Sequence, residues 1–159
     1  MVVRHLYVHI PFCPKVCPYC SFYKEASDRN KTKAFLDAVL AESEIEAEGL
    51  APWTIFFGGG TPSLMPASEL ARVIARIDER FEVLDDAEIT LEVNPDSVTP
   101  EFLSTMRESG ATRISMGMQS AVPHVLEALD RTHKPENVVS AVNAAVRAGF
   151  ENISVDLIY

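Results

Sequence analysis

The sequence predicts an α/β fold: an incomplete βα barrel of parallel strands that stops after its fifth strand. The first observation is that five strand-like runs alternate with helix-like runs, which is typical of a parallel sheet with helical crossovers. The second is that the apolar residues of these strands alternate with polar ones, whereas strands buried on both faces read as continuous apolar runs. Buried polar groups need partners, so we expect the polar face to line a ligand-filled cavity.

The first half of the chain contains two of these strands. The first is expected over residues 5–12, followed by a helix over about 31–48 that ends at Gly49. The second, over 54–57, leads directly into a glycine-rich turn, 58–62. Apolar residues at helical spacing between positions 70 and 81 then predict an amphipathic helix.

The second half repeats the pattern three times. Strands are expected over 88–94, 113–119 and 152–159, and each shows the alternation. Thr99 and Pro100 are typical of a helix start, and Gly110 of a helix end. A short helix is expected around 123–129, and a longer one from Pro135 to Gly149.

Composition excludes several classes of function. The net charge of −9 and the pI near 4.9 argue against a nucleic-acid surface. Residues 1–12 do not have the form of a signal peptide. No stretch reaches the roughly 18–20 apolar residues of a transmembrane segment. The length fits one domain, and reduced thiols predict a cytoplasmic location.

All three cysteines, Cys13, Cys17 and Cys20, fall within eight residues. An odd number does not make a closed disulfide framework, and soft thiolates favour zinc or an iron–sulfur cluster. Two prolines in the loop discourage a helix, so we expect the backbone to wrap and turn the sulfurs toward one point.

Four interpretations of this loop stay open. The first is a cubane cluster with three thiolate ligands, which leaves one iron open. The second is a Cys₃His zinc site using His9 or His5. The third is a thiol–disulfide protein working through Cys17 and Cys20. The fourth is three buried, unreactive thiols.

The residues from the first strand through this loop resemble the radical S-adenosylmethionine (radical SAM) superfamily, and more narrowly the oxygen-independent coproporphyrinogen III oxidase-like family. Further motifs in the same order support the resemblance: Phe57-Gly58-Gly59-Gly60-Thr61-Pro62, Glu92-Val93-Asn94-Pro95, Gly117-Met118-Gln119-Ser120, Arg131-Thr132-His133 and Val155-Asp156-Leu157-Ile158-Tyr159. They span the chain from end to end, so residues 1–159 are expected to be a radical SAM core domain.

The resemblance implies that Cys13, Cys17 and Cys20 ligate a [4Fe–4S] cluster whose open iron is chelated by S-adenosylmethionine. The implied cofactor-binding residues are Tyr7, Gly59, Gly60, Thr61, Glu92, Gln119, Arg131 and Asp156. Glu92 and the glycine turn would meet the methionyl part, Arg131 its carboxylate, and Gln119 and Asp156 the ribose. Tyr7 matches a tyrosine near the cluster and is also the candidate catalytic residue. An electron from the cluster would cleave the sulfonium and leave a 5′-deoxyadenosyl radical.

Each of these polar residues also has an ordinary interpretation when taken singly. Glu92 and Asp156 could be solvated or paired with Arg113, Arg131 could be an exposed charge, and Gln119 could satisfy a backbone group. His124 and His133 are expected at the surface.

One departure directs the prediction of function. The oxidases carry a further cysteine two residues after the third, where this chain has Phe22. The resemblance therefore favours the branch of heme (haem) chaperones, which bind heme and deliver it to apo-haemoproteins. The oxidase itself, which removes carboxylate from two propionates of a porphyrinogen, is the alternative. A reductant protein for the cluster is implied in both cases.

Family members continue past the last strand with a further barrel strand and a C-terminal domain. We therefore expect the chain to be a fragment that lacks the heme-associated motif of the chaperone branch, and we expect an unpaired edge at its last strand.

Overall fold

The computed structural model describes residues 3–45 and 50–159. Its five main strands form one parallel sheet, and helices connect successive strands. In chain order the elements are β1 (Val3–Ile10), β2 (Phe12–Cys13), β3 (Glu25–Ala26), α1 (Arg29–Ile45), β4 (Leu50–Gly59), a 3-10 helix (Pro62–Leu64), α2 (Ala67–Arg80), β5 (Glu88–Val93), α3 (Pro100–Glu108), β6 (Arg113–Gln119), α4 (Pro123–Ala128), α5 (Pro135–Arg147) and β7 (Asn152–Leu157).

The strand order in the sheet is β1-β4-β5-β6-β7. Each of these five strands therefore pairs with the one that follows it in sequence, and the short β2 and β3 form a separate pair. Neighbouring helices also pack on one another, α1 on α2, α2 on α3 and α3 on α5. Apolar residues of the strands and helices join in a single buried core, as in Ile10, Leu91 and Ile114 of the sheet against Leu70 and Leu103 of the helices. The core therefore lies between the sheet and one layer of helices.

The other face of the sheet carries polar side chains that bond across the strands. Arg113 of β6 donates to Glu88 of β5 at 3.1 Å and to Ser154 of β7 at 3.2 Å. Ser115 donates to Asp156 at 3.2 Å. The alternation in the sequence thus separates a packed face from a polar face, and the predicted open βα arrangement of parallel strands is confirmed.

Several element boundaries differ from the predictions. Pro11 ends β1 at Ile10, and the chain then forms β2, which pairs in parallel with β3; neither short strand was predicted. The second main strand begins at Leu50, not at residue 54. The predicted helix end at 48–49 lies outside the described residues. Thr99 caps α3 as expected, because its hydroxyl accepts from the N–H of Phe102 at 3.1 Å.

Among the helices of the described residues, none has the length and apolar character needed to span a membrane.

Candidate functional site

A cavity of about 580 Å³ opens at the carboxyl ends of the parallel strands. This is the edge at which βα barrels carry their active groups. Its wall combines the cysteine loop, the glycine turn after β4, and the ends of β5, β6 and β7. Most of the predicted site residues share this wall: Cys13, Cys17, Cys20, Gly59, Gly60, Thr61, Glu92, Gln119, Arg131 and Asp156.

The cysteine loop is held by backbone and lysine contacts. The N–H of Cys20 donates to the carbonyl of Cys17 at 3.2 Å, which closes a turn with no helix. The Lys24 ammonium also donates to the carbonyl of Cys20. Cys13, at the end of β2, is only 8% exposed, whereas Cys17 and Cys20 are partly open to the cavity.

Burial raises the pKa of the Cys13 thiol, and the nearby Cys20 and Cys17 thiols raise it further. The hydroxyl of Thr61 approaches the Cys13 sulfur at 3.8 Å and acts in the opposite direction. Within the described residues no three His, Cys, Asp or Glu side chains form a group that could hold a single metal ion. The sulfurs therefore share one cavity but do not meet at one point, contrary to the expectation. In a cubane each thiolate takes a different iron, so a common point is not required.

The contacts of the histidines disfavour the zinc interpretation. Both ring nitrogens of His9 are engaged, Nδ1 with the Tyr7 hydroxyl and Nε2 with the Tyr23 carbonyl, each at 3.1 Å. The ring of His5 bonds to Thr54 at 2.9 Å. Neither histidine is on the wall of the cavity that holds the cysteines.

The thiol–disulfide interpretation also loses support, because Cys17 and Cys20 lie in a turn and not at the helix start that depresses a thiol pKa in such proteins. The expectation of three buried thiols is met by Cys13 alone.

The glycine turn packs against the cysteine loop backbone to backbone. The N–H of Gly60 donates to Ile10 at 2.7 Å, and that of Thr61 donates to Phe12 at 2.8 Å. A Cβ at Gly60 would lie 2.6 Å from the Phe12 carbonyl oxygen. Gly59 has φ +113, a conformation that L side chains rarely adopt. Glycine is therefore required for the two loops to touch.

Glu92 and Asp156 project into the cavity from β5 and β7. The Glu92 carboxylate accepts from the N–H of Gly59 at 3.1 Å, while burial, the largest cause, and the nearby Asp156 raise its pKa. Asp156 accepts from Ser115. Neither carboxylate pairs with Arg113, which bonds to Glu88 instead. The ordinary pairing considered for these two residues is not what the structure shows.

Arg131 and Gln119 meet over Gly117. The guanidinium of Arg131 donates to the Gly117 carbonyl at 2.8 Å, so Arg131 is not a free surface charge. Gln119 has φ +66, and its amide nitrogen would lie 2.9 Å from a Cβ placed on Gly117. The position of the Gln119 amide thus depends on the lack of a side chain at Gly117.

Tyr7 differs from the other predicted residues, because it is not on the cavity wall. It lies on the polar face of β1, 54% exposed, and stacks on Phe56 with 6.0 Å between ring centroids. Phe56 does line the cavity.

The prediction that His133 lies at the surface is wrong. It is 3% exposed, not at the surface, and its ring bonds to the Met118 carbonyl at 2.9 Å. His124 is exposed as expected. The prediction missed several residues of the cavity wall. Among them are Ser115, whose place on the polar face could have suggested it, and Lys15 with Asp130, which form an ion pair across two loops.

Comparison with known proteins places the chain in a family. The family described as "Radical SAM superfamily" matches residues 7–159. The chain belongs to the radical SAM superfamily. Membership implies a [4Fe–4S] cluster and S-adenosylmethionine as cofactors, as the resemblance predicted.

The chain is similar to the heme chaperone HemW of Mycobacterium tuberculosis, with 42% identity over 97% of this chain and 41% of the relative. It is 35% identical to the oxygen-independent coproporphyrinogen III oxidase of Bradyrhizobium diazoefficiens, over 97% of this chain and 35% of that protein. The solved coproporphyrinogen III oxidase (HemN) from Escherichia coli superposes with a TM-score of 0.91 at 32% identity, over 99% of this chain and 38% of that one. The predicted resemblance and fold class are thereby confirmed.

This chain spans about two fifths of the length of the curated heme chaperones that it matches.

Proposed function

We propose that Cys13, Cys17 and Cys20 hold a [4Fe–4S] cluster and that the remaining cavity residues hold S-adenosylmethionine beside it. The observation that carries this proposal is the placement of all three thiols and seven of the eight proposed cofactor-binding residues on one cavity wall. Residues 1–159 would then act as one radical SAM core domain.

The residues present fit both groups chemically. Three soft thiols in a loop without helix suit a cluster that leaves one iron open. The backbone at Gly59 and Gly60 offers a surface free of side chains that a ligand can approach closely. Carboxylates and a guanidinium on the same wall suit a ligand that carries an ammonium, a carboxylate and a sulfonium.

Each residue has a proposed role. Thr61 and Glu92 face the methionyl part together with the glycine turn, and Arg131 offers a guanidinium fork to its carboxylate. Gln119 and Asp156 offer hydrogen bonds to the ribose hydroxyls. Tyr7 stays in the proposal as a nearby residue, and as the candidate catalytic one, since it stacks on Phe56 of the cavity wall.

The cofactors supply one-electron cleavage of the sulfonium and the radical that follows from it. The chain's own part is to orient the ligand and to exclude competing reactions. The Glu92 carboxylate accepts a hydrogen bond from the N–H of Gly59, so its orientation is set before a ligand binds. Arg131 is likewise oriented in advance by the Gly117 carbonyl.

The heme chaperone is the proposed role of the protein. Phe22, in place of the oxidases' further cysteine, is 69% exposed at the mouth of the cavity. The relatives named heme chaperone HemW, from 34% to 42% identical, support the same branch. In this role the protein takes up heme, receives electrons from a reductant protein, and delivers heme to apo-haemoproteins in the cytoplasm.

The alternative is an oxygen-independent coproporphyrinogen III oxidase that removes carboxylate from propionates. The TM-score of 0.91 to the solved oxidase favours it, because the core is shared.

Heme titration and a turnover assay with coproporphyrinogen separate these roles on the reconstituted full-length protein. We expect about one heme per chain with no decarboxylated product, and no product from a Phe22→Ser control. Multiple turnovers of coproporphyrinogen by the unmodified protein would contradict the chaperone role and establish the oxidase.

A further inference from the structure

Two consecutive carbonyls at the end of β6 are held by one loop. Arg131 donates to the carbonyl of Gly117 at 2.8 Å, and His133, two residues later, bonds to the carbonyl of Met118 at 2.9 Å. A carbonyl only accepts, so the Nε2 atom of His133 must carry the hydrogen. The loop between α4 and α5 therefore holds the end of β6 through two hydrogen-bond donors.

The backbone that these donors hold is strained. The N–H of Ser120 donates back to the carbonyl of Met118 at 2.8 Å, which makes a γ-turn centred on Gln119. Gln119 has φ +66, and a γ-turn of this hand is rare and costly for a residue other than glycine. The pairing of β6 with β7 also shifts register between Gly117 and Gln119. Such a conformation persists only when the surroundings determine it.

His133 lies in the protein interior, where it contacts the Met118 carbonyl. The ring is 3% exposed, and its Nδ1 atom is buried with no hydrogen-bond partner in the part of the chain that the structure describes. Burial, with a smaller contribution from Arg131, lowers the pKa of His133. A second proton on Nδ1 would create a buried donor without an acceptor, so the ring is neutral with the hydrogen on Nε2.

We propose that His133 is a positioning residue of the cofactor site: its hydrogen bond to Met118 stabilises the strained turn that directs Gln119 into the cavity and keeps Arg131 beside it. The inference rests on the proposed function, because Gln119 and Arg131 matter only if a ligand binds between them.

The test is binding of S-adenosylmethionine to the reconstituted protein, measured as a dissociation constant alongside iron content and melting temperature. We expect His133→Leu, which keeps the volume and removes the donor, to weaken binding about tenfold with unchanged iron. His133→Gln, whose amide nitrogen reaches about as far as Nε2, should stay within about threefold of the unmodified protein. His133→Asn, whose amide is one carbon shorter, should resemble the leucine variant. The exposed His124→Gln is the matched control and should change nothing.

Each outcome decides the matter. If the Gln and Asn variants bind equally well, or if the Leu variant loses only melting temperature while its dissociation constant is unchanged, His133 is merely structural and the inference is overturned. If the Leu variant does not fold, the Gln and Asn pair still decides. If the unmodified, iron-loaded protein binds no S-adenosylmethionine, the proposed function fails first, and the inference falls with it.

Discussion

The two faces of the sheet use the same strands for different purposes. In β5, Leu91 is buried under the helices at 1% exposure, while its neighbour Glu92 faces the cavity and bonds to Gly59. On the helix side, side chains fill space and contribute stability through burial. The cavity side carries carboxylates, a guanidinium and glycine backbone. Holding a charged group there costs folding free energy, because burial raises the pKa of Glu92. Substitutions on the first face should therefore change stability, and those on the second should change ligand binding.

The largest expected effect is on the packed face. Leu91→Ala removes a fully buried side chain and leaves a cavity, so the free energy of unfolding should fall by about 2–5 kcal/mol. Urea unfolding measures this, and ligand binding by the remaining folded protein should be unchanged. A stability loss below about 0.5 kcal/mol would mean that this face is not the packed one.

The next effect concerns the contact between the glycine turn and the cysteine loop. A Cβ on Gly60 would lie 2.6 Å from the Phe12 oxygen, and backbone cannot give way as a side chain can. Gly60→Ala should cost about 1–3 kcal/mol of stability and lower cluster loading. Gly110→Ala is the control, since a side chain at its φ of +102 is strained for a different reason and lies away from the cavity. If both variants load iron equally, the contact does not shape the site.

A smaller effect is expected at Gly117, where a new Cβ would lie 2.9 Å from the Gln119 amide nitrogen and 3.5 Å from the Arg131 guanidinium. These are side-chain ends that can move, so Gly117→Ala should leave the melting temperature nearly unchanged. Affinity for S-adenosylmethionine should fall about three- to tenfold as one hydrogen bond is displaced. Isothermal titration measures the change, and unaltered affinity would contradict the proposed roles of these two side chains.

The smallest effect is the pH dependence that Glu92 contributes. Its pKa is raised above the ordinary value of 4.5 in the folded protein, so the native state holds this proton more tightly than the unfolded state does. The contribution to stability is present below pH 4.5 and is lost as the pH rises through the raised pKa. Glu92→Gln, which does not titrate, should therefore gain stability relative to the unmodified protein as the pH rises. Urea unfolding across this range would show the reverse trend if the carboxylate were stabilised.

Much of this site could be predicted because its signals are local in the sequence. Alternation of apolar and polar residues assigned Glu92 and Asp156 to one face, and parallel strands bring their carboxyl ends to one edge. His133 could not be found in this way, because a lone polar residue after a short helix has no periodicity, and only tertiary packing buries it. The turn at Gln119 was missed for a related reason: a positive φ is usually signalled by glycine, and here neighbouring loops impose it on a glutamine.

The central claim is that three thiols and one polar wall form a single site for a cluster and its ligand. The most direct measurement is iron, acid-labile sulfide and zinc in anaerobically reconstituted protein, followed by EPR of the reduced protein with and without S-adenosylmethionine. We predict about four irons and four sulfides per chain, no zinc, and a spectrum that S-adenosylmethionine alters. One zinc without sulfide, or a four-iron spectrum indifferent to S-adenosylmethionine, would contradict it.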